Sequence, residues 1–306
     1  AKGSTATAKP GYHFVNWTNN VNKATTTDAT LTAAQVDAVA KASGVYAAAA
    51  FTANFAEDAN VAIKYTSADA ATGSVSPTSE SVAPATGAAS GSTATPAAGY
   101  RFAKWTNNVN ATEITSATLT KDQIEAVAKT SGAYVPVTFT AHFTEEKDVT
   151  ISYASADTTM GTVSPASESL APSTGVPVGS TATAKPGYHF LNWTNSVTTN
   201  GTTDATLTKD QIDAAAKTSG VYTPVTFTAN FMKNTYTVSF ATATGGTLDG
   251  ETSDQTVKYN ENATGSCVVS ANSTDYVFAG WAYDYTAADG THITGQTAPA
   301  TLGTPD

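Results

Sequence analysis

The chain has 306 residues, a net charge of −10 and only 13% charged residues, roughly half the usual share. It lacks the clustered Lys and Arg that neutralise phosphates, which argues against a nucleic-acid partner, and it has no run of 18 apolar residues to insert into a membrane. Its one cysteine, Cys267, excludes an intrachain disulfide and a repeated thiolate metal site, so stability has to come from apolar cores.

Trp17, Trp105, Trp193 and Trp281 recur every 88 residues, and Phe55, Phe143 and Phe231 keep the same interval. So do Gly87 and Gly175, and the pairs Ser76-Pro77 and Ser164-Pro165. A fixed period this long marks one small domain copied head to tail. A unit of that size buries its own core, whereas shorter solenoid repeats lean on their neighbours. The expected division is a back half at 1–58, complete units at 59–146 and 147–234, and a divergent front half at 235–306. The polar surface is built from Thr, Ser, Asn and Ala, as suits a protein outside the cell.

The first residues, Ala1 to Pro10, carry no signal-peptide pattern, and the chain reads as a mature or excised segment of something longer. Gly3-Ser4-Thr5 realigns with Gly91-Ser92-Thr93 and Gly179-Ser180-Thr181, which lie in mid-unit. The third unit shows the element order. Val149 to Tyr153 alternates apolar and polar residues, as a strand with one buried face does. Gly161 to Pro165 and Glu168 to Leu170 read as a short return strand at the sheet edge, since Pro165 cannot donate to a ladder. After the turn Lys185-Pro186-Gly187 comes an aromatic strand, Tyr188 to Trp193.

Thr208-Lys209-Asp210-Gln211 then has a capping box, with Leu207 and Ile212 as a hydrophobic staple. Ile212, Ala215 and Ala216 make an apolar stripe over a helix of about three turns, and Ser219-Gly220 supplies a left-handed stop. The same signals recur at Leu31, Thr32, Gln35, Val36, Val39 and Gly44, and at Leu119, Thr120, Gln123, Ile124, Val127 and Gly132. A last strand alternates at Val225, Phe227, Ala229 and Phe231, as at Val137, Phe139, Ala141 and Phe143, and at Ala49, Phe51, Ala53 and Phe55. The unit reads β-β-β-α-β. One helix laid on a roughly four-stranded mixed sheet gives a two-layer α+β domain, β-grasp-like in order. The linkers Glu145-Glu146-Lys147-Asp148 and Met232-Lys233-Asn234 contain neither Gly nor Pro and restrict relative motion.

The fourth unit runs Tyr236 to Phe240, Gly245-Gly246-Thr247, Gln255 to Tyr259, and Tyr276-Val277-Phe278-Ala279-Gly280-Trp281. This pattern resembles the Listeria–Bacteroides repeat, also called the internalin B-repeat. The other units resemble divergent relatives: Asn16, Lys104 and Asn192 replace the Gly before Trp, and a capped helix follows. The resemblance implies a β-grasp-like module found in arrays on secreted and wall-attached bacterial surface proteins, as stalks or adhesin segments. It implies no catalytic residue.

Nothing periodic looks like an active site. His13 and His189 are matched by Arg101, and His142 by Asn54 and Asn230, while His292 stands alone. A metal or catalytic role needs carboxylates or further His at fixed positions. No Lys, Asn and acid trio recurs for an isopeptide bond: Ser152 replaces Lys64, and Ala97 replaces Lys9 and Lys185. Asp249-Gly250-Glu251 and Asp289-Gly290 read as turns before they read as calcium ligands. No catalytic, cofactor or metal residue is therefore assigned, and the chain is expected to be non-enzymatic. The leading expectation is an extracellular spacer that holds a tip away from the cell wall. One rival is weak multivalent binding of host glycans or proteins through the repeated aromatics. Another is a fibre formed by head-to-tail exchange of the half units.

Overall fold

The computed structural model describes residues 1–198, 201–250, 252–265, 267–275, 278–286 and 292–297. They form two compact units, Ala1–Glu146 and Lys147–Asp306. The chain is mostly β, with three short helices among the described residues.

The second repeat shows the plan. Val61–Ser67, Ser79–Val82, Tyr100–Asn107 and Val137–Glu145 form a mixed sheet. Val137–Glu145 lies at its centre, parallel to Val61–Ser67 on one side and antiparallel to Tyr100–Asn107 on the other. Ser79–Val82 closes the edge beside Val61–Ser67. The alternation in these strands sends Ile63, Tyr65, Val137, Phe139 and Ala141 into one core with Trp105 and the helix residues Ile124, Val127 and Ala128. Tyr65 stacks on Phe139, with ring centroids 6.0 Å apart and planes at 20°, and meets Trp105 edge-on. Each fully buried Ile or Phe here contributes about 1.5–3 kcal/mol of transfer free energy. The third repeat reproduces the sheet and the aromatic cluster around Tyr153, Trp193 and Phe227.

Three local expectations are corrected. The return segment is two strands belonging to different sheets. Ser167–Leu170 pairs with Val149–Ser155, while Gly161–Ser164 pairs with Thr181–Ala184 in a separate ribbon. Pro165 sits in the turn between them, where a missing N–H interrupts no ladder. The Thr181–Ala184 strand turns only two small side chains, Ala182 and Ala184, to the core, too weak a pattern to read from sequence.

The helices are two turns long, Ala33–Ala40, Lys121–Ala128 and Lys209–Ala216, rather than three. All three capping boxes are formed. Lys217, however, leaves the helix in extended conformation, and the left-handed pair Ser219-Gly220 turns a tiny hairpin, Lys217–Thr218 with Val221–Tyr222. Two consecutive residues with positive φ are what a tight hairpin turn requires, so the signal was correct and the element was not. The linkers are also shorter than expected. Met232 and Lys233 belong to the strand Val225–Lys233, and only Asn234 separates it from Thr235–Val238.

The first repeat has a three-stranded sheet of Thr25–Thr26, Tyr12–Asn19 and Phe51–Glu57. Trp17 is buried there, and Phe55 is 40% exposed. In the fourth repeat three ribbons are described: Thr235–Val238 with Gln255–Lys258, Gly246–Gly250 with Cys267–Ala271, and Trp281–Thr286 with His292–Thr297. Trp281 is only half-buried, against Phe278 and Phe240, so the fourth indole departs from the core position of the other three.

Candidate functional site at the repeat joints

His13 and His189, two of the residues weighed as catalytic or metal-binding, fasten strand ends, as does Arg101 at their place in the second repeat. His13 Nδ1 lies 2.8 Å from Asp58 Oδ1, Arg101 Nε 3.8 Å from Glu146 Oε2, and His189 Nδ1 2.9 Å from Asn234 Oδ1. The two partners are 45 residues apart each time, so the recurring unit is the pair rather than the basic residue. The backbone repeats it: Asp58, Glu146 and Asn234 donate their N–H to the carbonyls of Gly11, Gly99 and Gly187. His142 bonds Thr106 Oγ1 across the sheet, and His292 bonds Asp284 with both side chains exposed. Asp249-Gly250 ends a strand, with Asp249 opposite Val268, instead of forming a turn. Glu251, Asp289-Gly290 and Tyr276-Val277 lie outside the described residues.

Two further constellations escaped the sequence reading. Asp37, Lys41 and Tyr46 form a triad that recurs as Glu125, Lys129 and Tyr134 and as Asp213, Lys217 and Tyr222. In each, the tyrosine donates to the acid and the lysine ammonium sits over the tyrosine ring. The Tyr134 hydroxyl and Lys129 hold the Glu125 carboxyl down at about 2. Burial opposes ionisation of Asp213, but its bonds from Lys209, Tyr222 and Lys217 outweigh that and lower its pKa. These triads clamp the helix to the small hairpin. Their signal was the spacing acid-x3-Lys-x4-Tyr in every unit. The second constellation is Glu80, which accepts from the Tyr65 hydroxyl and from the N–H groups of Ser90 and Gly91, matched by Glu168 with Tyr153, Val178 and Gly179. Burial first, and then the neighbouring carboxylate, push the Tyr65 hydroxyl pKa well up.

One acid reaches out of its own repeat. Glu57, at the end of Phe51–Glu57, accepts the N–H groups of Ala85 and Thr86 on Oε1, at 2.7 and 2.8 Å, and the Thr86 hydroxyl on Oε2 at 2.8 Å. That hydroxyl, with the two backbone donors, holds the Glu57 carboxyl below the usual range. The receiving loop is fixed to the second core, because Pro84 is buried and its carbonyl accepts the N–H of Tyr134. At the end of the third repeat the corresponding position is Lys233, which pairs with Glu261 at 3.0 Å.

The third repeat also has a cavity of about 180 Å³, bordered by Trp193, Leu207, Gln211, Ala215 and Phe227. Thr202 and Ala215 stand there at the places of the buried Ile114 and Val127 of the second repeat. Its polar rim is already bonded within the chain, with Gln211 Nε2 donating to Thr202 and Asp204. Among the described residues no cluster of three or more His, Cys, Asp or Glu could hold a metal ion, and no helix is long and apolar enough to cross a membrane.

Residues 4–59, 63–147 and 150–235 match the family model of the divergent InlB B-repeat domain. Residues 236–302 match that of the Listeria-Bacteroides repeat domain. No curated protein and no solved structure matches the chain.

Proposed function

The chain belongs to the divergent InlB B-repeat domain family, and from that premise we propose that it is a non-enzymatic spacer in a bacterial surface protein. Its β-grasp-like units set a distance between a cell wall and a binding tip. One observation carries the reading: the recurring acids and aromatics are engaged inside the repeats or at their ends. The indoles of Trp105 and Trp193 are 0% and 1% exposed, so these two rings offer no stacking face to a sugar, which weighs against the glycan-binding rival. Small-angle scattering of the chain tests the spacer reading. An elongated particle supports it, and a particle no larger than a 306-residue globule overturns it.

A further inference from the structure

We infer that the first and the third repeat each carry a built-in docking surface for the repeat that follows, so that these two joints are fixed head-to-tail contacts and not flexible tethers. The inference rests on the spacer reading and adds the property of stiffness to it.

The giving surface has two parts: the glycine turn before the aromatic strand and the last residue of the strand that ends the repeat, Glu57 or Lys233. The receiving surface is the loop after the edge strand of the next repeat. At the first joint the turn is Pro10-Gly11. Gly11 has φ +81°, and a Cβ built on it would lie 3.0 Å from the Ala85 Cβ and 3.1 Å from the Ala85 nitrogen. The backbone of the turn therefore touches the loop directly. Glu57 closes the contact with its three bonds to Ala85 and Thr86. Between the two strands run only Asp58, Ala59 and Asn60, and the first of these is itself held to Gly11 and His13. No linker residue is left to act as a swivel without breaking one of these bonds.

At the joint between the third and fourth repeats the same two surfaces meet with different chemistry. Gly187, with φ +84°, faces the Tyr259 ring in place of Ala85. Tyr188 meets that ring edge-on with centroids 5.4 Å apart, and Tyr259 donates its N–H to the Asn234 carbonyl. The carboxylate–backbone clasp of Glu57 becomes the Lys233–Glu261 ion pair. Two unrelated sets of contacts at one pair of positions mark a surface that serves docking, since a chance contact would not be rebuilt with new partners. The contact is heterologous, joining two different surfaces of successive repeats.

The test uses the full chain with Cys267→Ser, spin-labelled at Thr52→Cys and Thr144→Cys, both exposed strand positions in the first and second repeats. Pulsed dipolar spectroscopy is expected to give one narrow distance distribution, at least twofold wider after Glu57→Ala. Thr86→Val, which removes only the hydroxyl donor, should widen it less while near-ultraviolet circular dichroism stays unchanged. A broad distribution in the parent chain, or no widening in either variant, overturns the fixed joint. Either result leaves the spacer reading standing, because the length measured by scattering does not depend on stiffness at one joint.

Discussion

Phe102 and Trp105 face the same core although they stand three residues apart on one strand, where strict alternation would put them on opposite faces. The pairing register slips by one residue between Phe102 and Lys104, so Ala103 is the extra residue of a bulge. The same slip falls at Val15 and Leu191, which are exposed. Deleting Ala103 restores strict alternation and turns one of the two rings outward. The second repeat should lose about 3–5 kcal/mol, the cost of removing a large aromatic side chain from a core. Urea unfolding followed by tryptophan fluorescence checks this; a loss under about 1 kcal/mol on the same scale would show that the bulge does not set the register.

The cavity of the third repeat predicts a gain. Thr202→Ile with Ala215→Val rebuilds the filling seen in the second repeat and should raise stability by about 0.5–2 kcal/mol, the usual yield of cavity filling. Differential scanning calorimetry reads this as a higher midpoint for the third repeat. An unchanged or lower midpoint would mean that the space is not available to those side chains.

The triad around Glu125 predicts acid sensitivity with a definite sign. The Glu125 pKa is lowered from the ordinary 4.5 to about 2 in the folded state, first by the Tyr134 hydroxyl and then by Lys129. The stabilisation is therefore complete above about pH 4.5 and is lost as pH falls toward 2. Urea midpoints measured across that window should fall less steeply in Tyr134→Phe than in the parent. Parallel curves would exclude the hydroxyl as the cause.

A two-turn helix depends on its ends. Thr120 Oγ1 accepts the Gln123 N–H, and Gln123 Oε1 accepts the Thr120 N–H. Thr120→Ala should cost about 1 kcal/mol, typical of losing an N-cap. Thr120→Ser, which keeps the acceptor, should restore most of it in the same denaturation assay. Failure of serine to do so would assign the loss to the threonine methyl.

The repeat was legible because its 88-residue interval returns the same residue types, and the capping boxes and alternating strands because each depends on residues within a few positions of one another. Leu119, Thr120, Gln123 and Ile124 are legible in a single glance along the chain, and the central strand at Phe139 and Ala141 nearly so. The bulge at Ala103 was hidden, since a slip in pairing belongs to two strands and not to one. The separate ribbon of Gly161–Ser164 with Thr181–Ala184 was hidden for the same reason, its partners lying about twenty residues apart with little apolar pattern. At the joints, His13 and His189 invited attention while Glu57 did not. A carboxylate that accepts three bonds from the next repeat looks like any surface acid until the loop around Ala85 is in place.

The parallel pairing of Val61–Ser67 with Val137–Glu145 joins the first and last strands of a repeat side by side at the middle of its sheet. Tension enters such a unit at the start of one strand and leaves at the far end of its neighbour. The ladder from Ile63–Val137 to Ser67–Ala141 is then sheared as a whole, with all its bonds loaded at once, where an antiparallel hairpin would unzip one rung after another. Every complete copy is wired to resist being pulled apart along the line of the array.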